Sequence, residues 1–378
     1  MDSFYSVDFG QVFAGRRVLV TGHTGFKGGW LSVWLQRLGA HVTGLSLPPD
    51  EGPGFFDLCG VEGLVDSRIA DIRDADAVHE TLRDVDAEIV FHLAAQPLVR
   101  YSYRHPAETF ATNVSGTAHV LDAAKSMDSL RTVVVITSDK CYDNREWTWG
   151  YRENDPLGGT DPYSASKGCT ELVANAYANA FFSEPDGPRL ATARAGNVFG
   201  GGDWGEDRLV PDIVRAAFSG TPLDIRSPSS IRPWQHVMEP LSGYLMLAAA
   251  LTSQGRNYAG AWNFGPDVSG TVNVRELAGM IQKFWGPEAP KLIFQNEEHS
   301  AEPKLHEAGI LRLDSTKAQT GLGWKPRLNL PEAINLTTEW YKAQLDGADM
   351  LSITRSQIDH YNSLMSETLL SDQVTAAQ

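Results

Sequence analysis

Cysteine is scarce: Cys59, Cys141 and Cys169 are the only three in 378 residues, and no CxxC spacing occurs. An odd, unpatterned set excludes a disulfide scaffold and predicts reduced thiols in a cytosolic setting. No cluster of His, Cys or acidic residues shows ligand spacing, so no metal is expected. Positive charge is also in deficit, with 32 Lys+Arg against 47 Asp+Glu and a formal net charge of −15. That balance argues against nucleic acid or an anionic membrane as partner, yet permits a local basic pocket for a phosphorylated ligand. No apolar run approaches the roughly 20 residues of a spanning helix. The acidic opening MDSFYSVDFGQVFAG lacks the apolar segment of a signal peptide. Repeats and low-complexity segments are missing as well. What is present is ordinary globular usage, 42% hydrophobic and 21% charged, which excludes a disordered or collagen-like chain. The length exceeds the roughly 250–300 residues at which one core stops growing, which predicts two lobes or one enlarged domain.

The first strand is predicted at Arg17-Val18-Leu19-Val20-Thr21, an apolar run suited to burial on both faces. Glycines follow at once, then a helical pattern from Trp30 to Leu38 that stops at Gly39, then a second strand, Ala40–Leu47. Strands predicted at 67–70, 88–95, 132–138 and 190–195 alternate with helices ending near Arg83, at 113–127 and at 162–182. Such alternation predicts an α/β fold, a Rossmann-type doubly wound parallel sheet, because parallel strands need crossovers. The expected division is a dinucleotide-binding domain over 12–195, rejoined by about 236–264. A smaller mixed α/β substrate lobe is expected over 196–235 and 265–345, and a peripheral polar tail over 346–378.

Gly22, Gly25 and Gly28 form G-x-x-G-x-x-G between the first strand and its helix. In that context the backbone can turn tightly and bring a pyrophosphate onto a helix N-terminus. His23 and Lys27, in the same loop, are candidates to reach the phosphates or ribose, or else form a solvated loop face. Asp71, after the third strand, is either an acceptor for adenine or a turn residue. The acid that usually grips the ribose at the end of the second strand is missing, since the segment reads Gly44-Leu45-Ser46-Leu47.

Tyr163 and Lys167 stand four residues apart, on one face of a predicted helix. A lysine beside a tyrosine favours the phenolate, so the spacing predicts a lowered phenol pKa. Thr137-Ser138-Asp139-Lys140 lies at the C-terminal end of the longest β-branched strand, where α/β sheets bind ligands. Together these groups make a candidate proton-transfer set.

The glycine pattern, His92-Leu93-Ala94-Ala95, Asn113, Ser138 and the Tyr163/Lys167 pair resemble the extended short-chain dehydrogenase/reductase family, over roughly residues 12 to 345. The longer motifs Thr137–Tyr142, Gly22–Gly28 and Arg232-Pro233-Trp234-Gln235-His236-Val237 resemble its nucleotide-sugar dehydratase branch. The resemblance implies an NAD cofactor held also by Phe26, Ile72, Ala94, Ala95, Asn113, Tyr163 and Lys167, and CDP-D-glucose as substrate. It implies an internal redox cycle in which Tyr163, helped by Ser138 and Lys167, is the base at the sugar 4-hydroxyl and Asp139 the acid for the departing 6-hydroxyl. Related dehydratases carry Glu after that Asp; here Lys140 is a candidate base for carbon 5 or a cation for the enolate. Arg232 and Arg208 are candidates for the substrate pyrophosphate, Asn197 for a phosphate or sugar hydroxyl, and His236 for the same lobe. Trp204, Trp234 and Trp262 read as packing residues. A homodimer and a role in deoxysugar synthesis for surface polysaccharide such as O-antigen are implied too. An epimerase or a plain NAD(P)-dependent oxidoreductase of the same fold remains the alternative, and a binding protein without chemistry is a third.

Overall fold

The computed structural model describes residues 9–267, 270–295 and 310–376. Strands β1 (Arg17–Thr21), β2 (His41–Ser46), β3 (Asp66–Ile69), β4 (Ile89–His92), β5 (Thr132–Ile136) and β6 (Arg189–Ala195) alternate with helices. Short strands follow: β7 (Val198–Phe199), β8 (Leu223–Ile225), β9 (Ile231–Pro233) and β10 (Gln235–His236). Then β11 (Gly260–Phe264) returns to the main sheet, and β12 (Thr271–Asn273) and β13 (Leu292–Phe294) complete the set. The main sheet is parallel throughout, in the order β11-β6-β5-β4-β1-β2-β3. The remaining strands pair as β10 with β7, β12 with β9 and β13 with β8.

Period-two alternation explains why the central strands are apolar throughout. Val18, Val20, Phe91 and Val134 enter the core on one face of the sheet, while Leu19, Val90, Val133 and Val135 enter the core on the other. The order of strands reverses beside β1, whose neighbours are β2 and β4, and in such sheets the ligand crevice opens at that point. The glycine loop leaves β1 there, opposite the segment that leaves β4.

A buried ion pair fixes the helix Pro162–Ala180 to the sheet. Arg194 on β6 lies 2.7 Å from Glu171 on that helix, with side chains 4% and 3% exposed. Glu171 also accepts hydrogen bonds from Thr137 and Thr192, and Arg194 donates to Tyr142 at 2.7 Å and to the Glu153 carbonyl at 3.1 Å. The helix begins with Asp161, whose carboxylate accepts from the Ser164 amide, followed by Pro162 in the first turn.

The C-terminal segment departs from the expected peripheral tail. The helix Met350–Ala376 buries Met350, Thr354, Ile358, Tyr361 and Met365, a stripe at helical spacing. Tyr361 meets Trp34 edge-on at 5.6 Å and donates to buried Glu239 at 2.6 Å, and Arg37 pairs with Asp359 at 3.0 Å. It therefore braces the helix Phe26–Arg37 that follows the glycine loop. The stripe was obscured in the sequence because Thr354 and Tyr361 carry hydroxyls. Among the described residues no helix is long and apolar enough to cross a membrane.

Arg194→Met, which leaves Glu171 buried without its partner, is expected to lower unfolding stability by about 3–5 kcal/mol in urea titration. Adding Glu171→Leu should recover much of that loss, because an apolar pair removes the uncompensated charge.

Candidate active site

A cleft of about 2000 Å³ runs along the C-terminal ends of the central strands and on to the segments that carry Arg208 and Arg232. That exceeds the ~300–1,000 Å³ of a site for one small molecule and suits two extended ligands. The glycine loop lies at one end. Gly22 has φ +80°, and a Cβ on it would meet the Ala94 amide nitrogen at 2.8 Å. A Cβ on Gly28 would meet the Gly22 carbonyl oxygen at 2.0 Å, so only glycine allows this turn to close. The loop leads into the helix Phe26–Arg37, whose first turn has free N–H groups and no side-chain cap. This cradle fits a dinucleotide pyrophosphate.

Gly25, Phe26, Ala94, Ala95, Asp71 and Ile72 also line the cleft. Asp71 is engaged by Arg73, which donates to its carboxylate through both the main chain and the guanidinium and holds it below the usual carboxylate range. Past β2 the cleft wall is Ser46, Leu47, Pro48, Pro49, Asp50 and Glu51. Acids thus do stand beyond β2, displaced by two prolines from the position the sequence reading inspected. Their charge disfavours a ribose 2′-phosphate and favours NAD over NADP.

Two residues expected at the cofactor do not line the cleft. His23 turns beneath β2, where its ring fills the space that the missing side chain of Gly44 leaves, and Nε2 lies 2.7 Å from the Ser67 hydroxyl. Burial lowers its pKa to about 4. Asn113 lies in a π-helical turn, with its amide wholly engaged. Oδ1 accepts from the Gln96 amide at 2.8 Å, while Nδ2 donates to the Gln96 carbonyl and the Ser166 hydroxyl. It ties the loop after β4 to the tyrosine-bearing helix, and neighbouring Thr112 faces the cleft instead.

Mid-cleft, the structure brings together Ser138, Asp139, Lys140, Tyr163 and Lys167. Ser138 caps a short turn, accepting from the Lys140 amide at 3.2 Å and donating to Asp139 at 2.9 Å. Lys140 Nζ stands 6.0 Å from the centre of the Tyr163 ring. Burial raises the Asp139 pKa, opposed by Lys140, the Ser138 bond and Lys27. Burial also lowers Lys167 to about 8, with Glu171 pulling the other way. The expected lowering of the Tyr163 pKa is reversed: burial pushes it up to about 12, and the Ser138 hydroxyl offsets this only in part. Loss of solvation dominates at Tyr163, and what offsets it comes from the Ser138 hydroxyl and Arg208 rather than from Lys167.

Beyond β6, Asn197, Arg208 and Arg232 line the cleft. Arg208 donates to both carboxylate oxygens of Asp203 at 3.1 Å. Trp204 and Trp234 line it too, whereas Trp262 is buried in the core. His236 does not reach it: it is fully buried edge-on to Trp30 and Phe199, accepts from the Met238 amide, and has its pKa lowered to about 3 by burial. Sequence reasoning missed a charged clasp across the opening. Arg226 reaches Asp207 at 3.1 Å, and Arg100 stands 3.8 Å from the same carboxylate. Isolated charges in loops carried no spacing signal that could have found it. No group able to hold a metal ion occurs among the described residues.

A family model described as GDP-mannose 4,6 dehydratase matches residues 19–337. The chain belongs to this family. CDP-glucose 4,6-dehydratase of Salmonella typhimurium is 49% identical over 353 residues, which are 92% of this chain and 97% of that protein. Solved structures of similar fold include an epimerase from Methanothermobacter thermautotrophicus, with TM-score 0.75, 23% identity, and coverage of 90% of this chain and 96% of that one. Another is DesIV, a dTDP-glucose 4,6-dehydratase from Streptomyces venezuelae with NAD bound, with TM-score 0.70, 23% identity, and coverage of 89% and 99%. Because the fold serves epimerases and dehydratases alike, the chemistry has to be argued from the side chains in the cleft.

Gly28→Ala is expected to weaken dinucleotide binding at least ~10-fold, since the new methyl meets backbone that cannot rotate away. Calorimetric titration with NAD measures this, with circular dichroism checking that the sheet is retained.

Proposed function

We propose that this 4,6-dehydratase family member converts CDP-D-glucose to CDP-4-keto-6-deoxy-D-glucose and water. The observation that carries the reading is Asp139, a buried carboxyl with a raised pKa set beside Ser138, Tyr163 and Lys167 in one cleft. A 4-epimerase has no hydroxyl to expel and needs no such acid, whereas a dehydratase does. The nucleotide follows the 49% identical relative, whose name specifies CDP-glucose.

The Gly22, Gly25 and Gly28 turn with the helix N-terminus after it would hold NAD, which would supply the hydride acceptor for carbon 4 and the same hydride for carbon 6, with a positive charge that would favour the tyrosine phenolate. Tyr163 takes the proton of the 4-hydroxyl, with Ser138 sharing that hydrogen bond and Lys167 stabilising the phenolate. The resulting ketone acidifies the carbon-5 hydrogen. Lys140 takes that proton as the enolate forms, Asp139 donates its own proton to the leaving 6-hydroxyl so that water departs, and Lys140 returns the proton to carbon 5 when the hydride adds at carbon 6. With the hydride back on carbon 6 there is no net oxidation. Arg208, Arg232 and Asn197 hold the nucleotide diphosphate end. The product suits deoxysugar synthesis for surface polysaccharide, and we place the enzyme in the cytoplasm as a homodimer.

Incubation with NAD and, separately, CDP-, UDP-, GDP- and dTDP-glucose should yield loss of one water by mass from the CDP sugar alone. Water loss from a different sugar nucleotide overturns the base assignment. Reduced cofactor accumulating without water loss overturns the dehydratase reading.

Tyr163→Phe is expected to lower turnover by roughly 10²–10⁴-fold. Asp139→Asn should still oxidise carbon 4, seen as reduced-cofactor absorbance in a single turnover, while water loss slows by about 10²-fold or more.

A further inference from the structure

Lys27 sits in the dinucleotide loop, but its surroundings are those of the substrate. Its side chain lines the cleft within electrostatic reach of Arg208, Lys167, Asp139 and Asp203. The helix that begins at Phe26 lies along the loop leading to Arg208. Trp30 donates to the Gly201 carbonyl at 2.9 Å, and a Cβ on Gly200 would come within 3.2 Å of the Phe26 ring. Lys27, next to Phe26, is therefore held at the border of the two lobes.

The local charge is unbalanced toward the positive. Asp203 is engaged by Arg208 through both oxygens, and Asp139 is hydrogen-bonded to Ser138. Among the described residues Lys27 has no hydrogen bond and no carboxylate within 4.0 Å. Burial, Arg208 and Lys167 lower its pKa to about 8, and Asp139 and Asp203 offset this only in part. An anion bridging Lys27 and Arg208 would relieve both the desolvation and the like-charge repulsion. The dinucleotide pyrophosphate has its own donors in the glycine-loop backbone and helix N-terminus. A second phosphate group entering beside Asp139 lies outside that cradle and draws its donors from the cleft side chains, of which Lys27 and Arg208 stand within electrostatic reach of each other.

We propose that Lys27 and Arg208 together clamp the sugar-proximal phosphate of the nucleoside-diphosphate sugar, so that a substrate-binding residue is housed inside the cofactor loop. The inference rests on the nucleotide-sugar reading above. The position next to Asp139 and Lys167 selects the phosphate nearest the sugar, because those residues mark where the sugar is processed.

Calorimetric titrations of wild type and Lys27→Met with CDP, CMP and NAD test it. CMP lacks the distal phosphate, so the variant should bind CDP about 10- to 100-fold more weakly and CMP within about two-fold of wild type. NAD affinity should stay within about three-fold. Lys27→Arg, which keeps the charge, should retain CDP affinity within about three-fold and guards against a fold defect. Weakened NAD binding with CDP binding intact would overturn the proposal in favour of a cofactor anchor. Equal loss for CDP and CMP, or no loss for either, would overturn it too. If wild type binds a different nucleoside diphosphate instead of CDP, the base assignment fails separately, and the clamp is read from that diphosphate and its monophosphate.

Discussion

The catalytic geometry depends on one buried contact, the ion pair between Arg194 and Glu171. Tyr163 and Lys167 ride on a helix, while Ser138, Asp139 and Lys140 hang from the end of β5, and no covalent link near the site joins the two. Glu171 lies one helical turn beyond Lys167 and accepts from Thr137, the residue just before Ser138. Arg194 closes the arrangement from β6. A two-residue change in helix phase would strand this charge in the core, and an unpaired buried charge costs several kcal/mol. The pair thus sets the rotation of the tyrosine helix against the strand end. The same carboxylate acts electrostatically on Lys167 and counters part of its desolvation.

A second constraint is the contrast between the chain's net charge of −15 and the cations gathered in its cleft. Lys27, Lys140, Lys167, Arg208 and Arg232 face the same space as Asp139 and Asp203. Two ligands that each carry a diphosphate need such a pocket, and the acidic exterior offers little competition for them elsewhere. Burial then sets the chemistry. It raises the acid Asp139 and the phenol Tyr163, and lowers both Lys27 and Lys167. Each shift favours the neutral form of its group.

Much of this is legible in the sequence. The apolar runs at 17–21 and 132–136 need burial on both faces, which leaves few options but a central parallel sheet. The glycine spacing 22-25-28 allows one close-packed turn, and the i, i+4 pair Tyr163/Lys167 shares a helix face wherever that helix lies. The failures have a common cause. His23, Asn113 and His236 sit within motifs that reach the cleft, but each side chain faces the other way, into space opened by Gly44, Gln96 and the Trp30–Phe199 pair. The direction of a loop side chain is set by neighbours far away in sequence, and spacing carries no record of them. The tail was misjudged similarly: its buried stripe became meaningful only with Trp34 and Glu239 opposite it.

By itself, then, the sequence determined the strand–helix alternation, the glycine turn after β1 and the shared helix face of Tyr163 and Lys167, because these follow from local periodicity and from residues with restricted conformational options. The tertiary structure decided which groups face the cleft, that carboxylates stand past the prolines after β2, and that Lys27 belongs with Arg208. It also decided the protonation tendencies. Solvation depends on everything packed around a group, and for Tyr163 burial dominates, offset in part by Ser138 and Arg208.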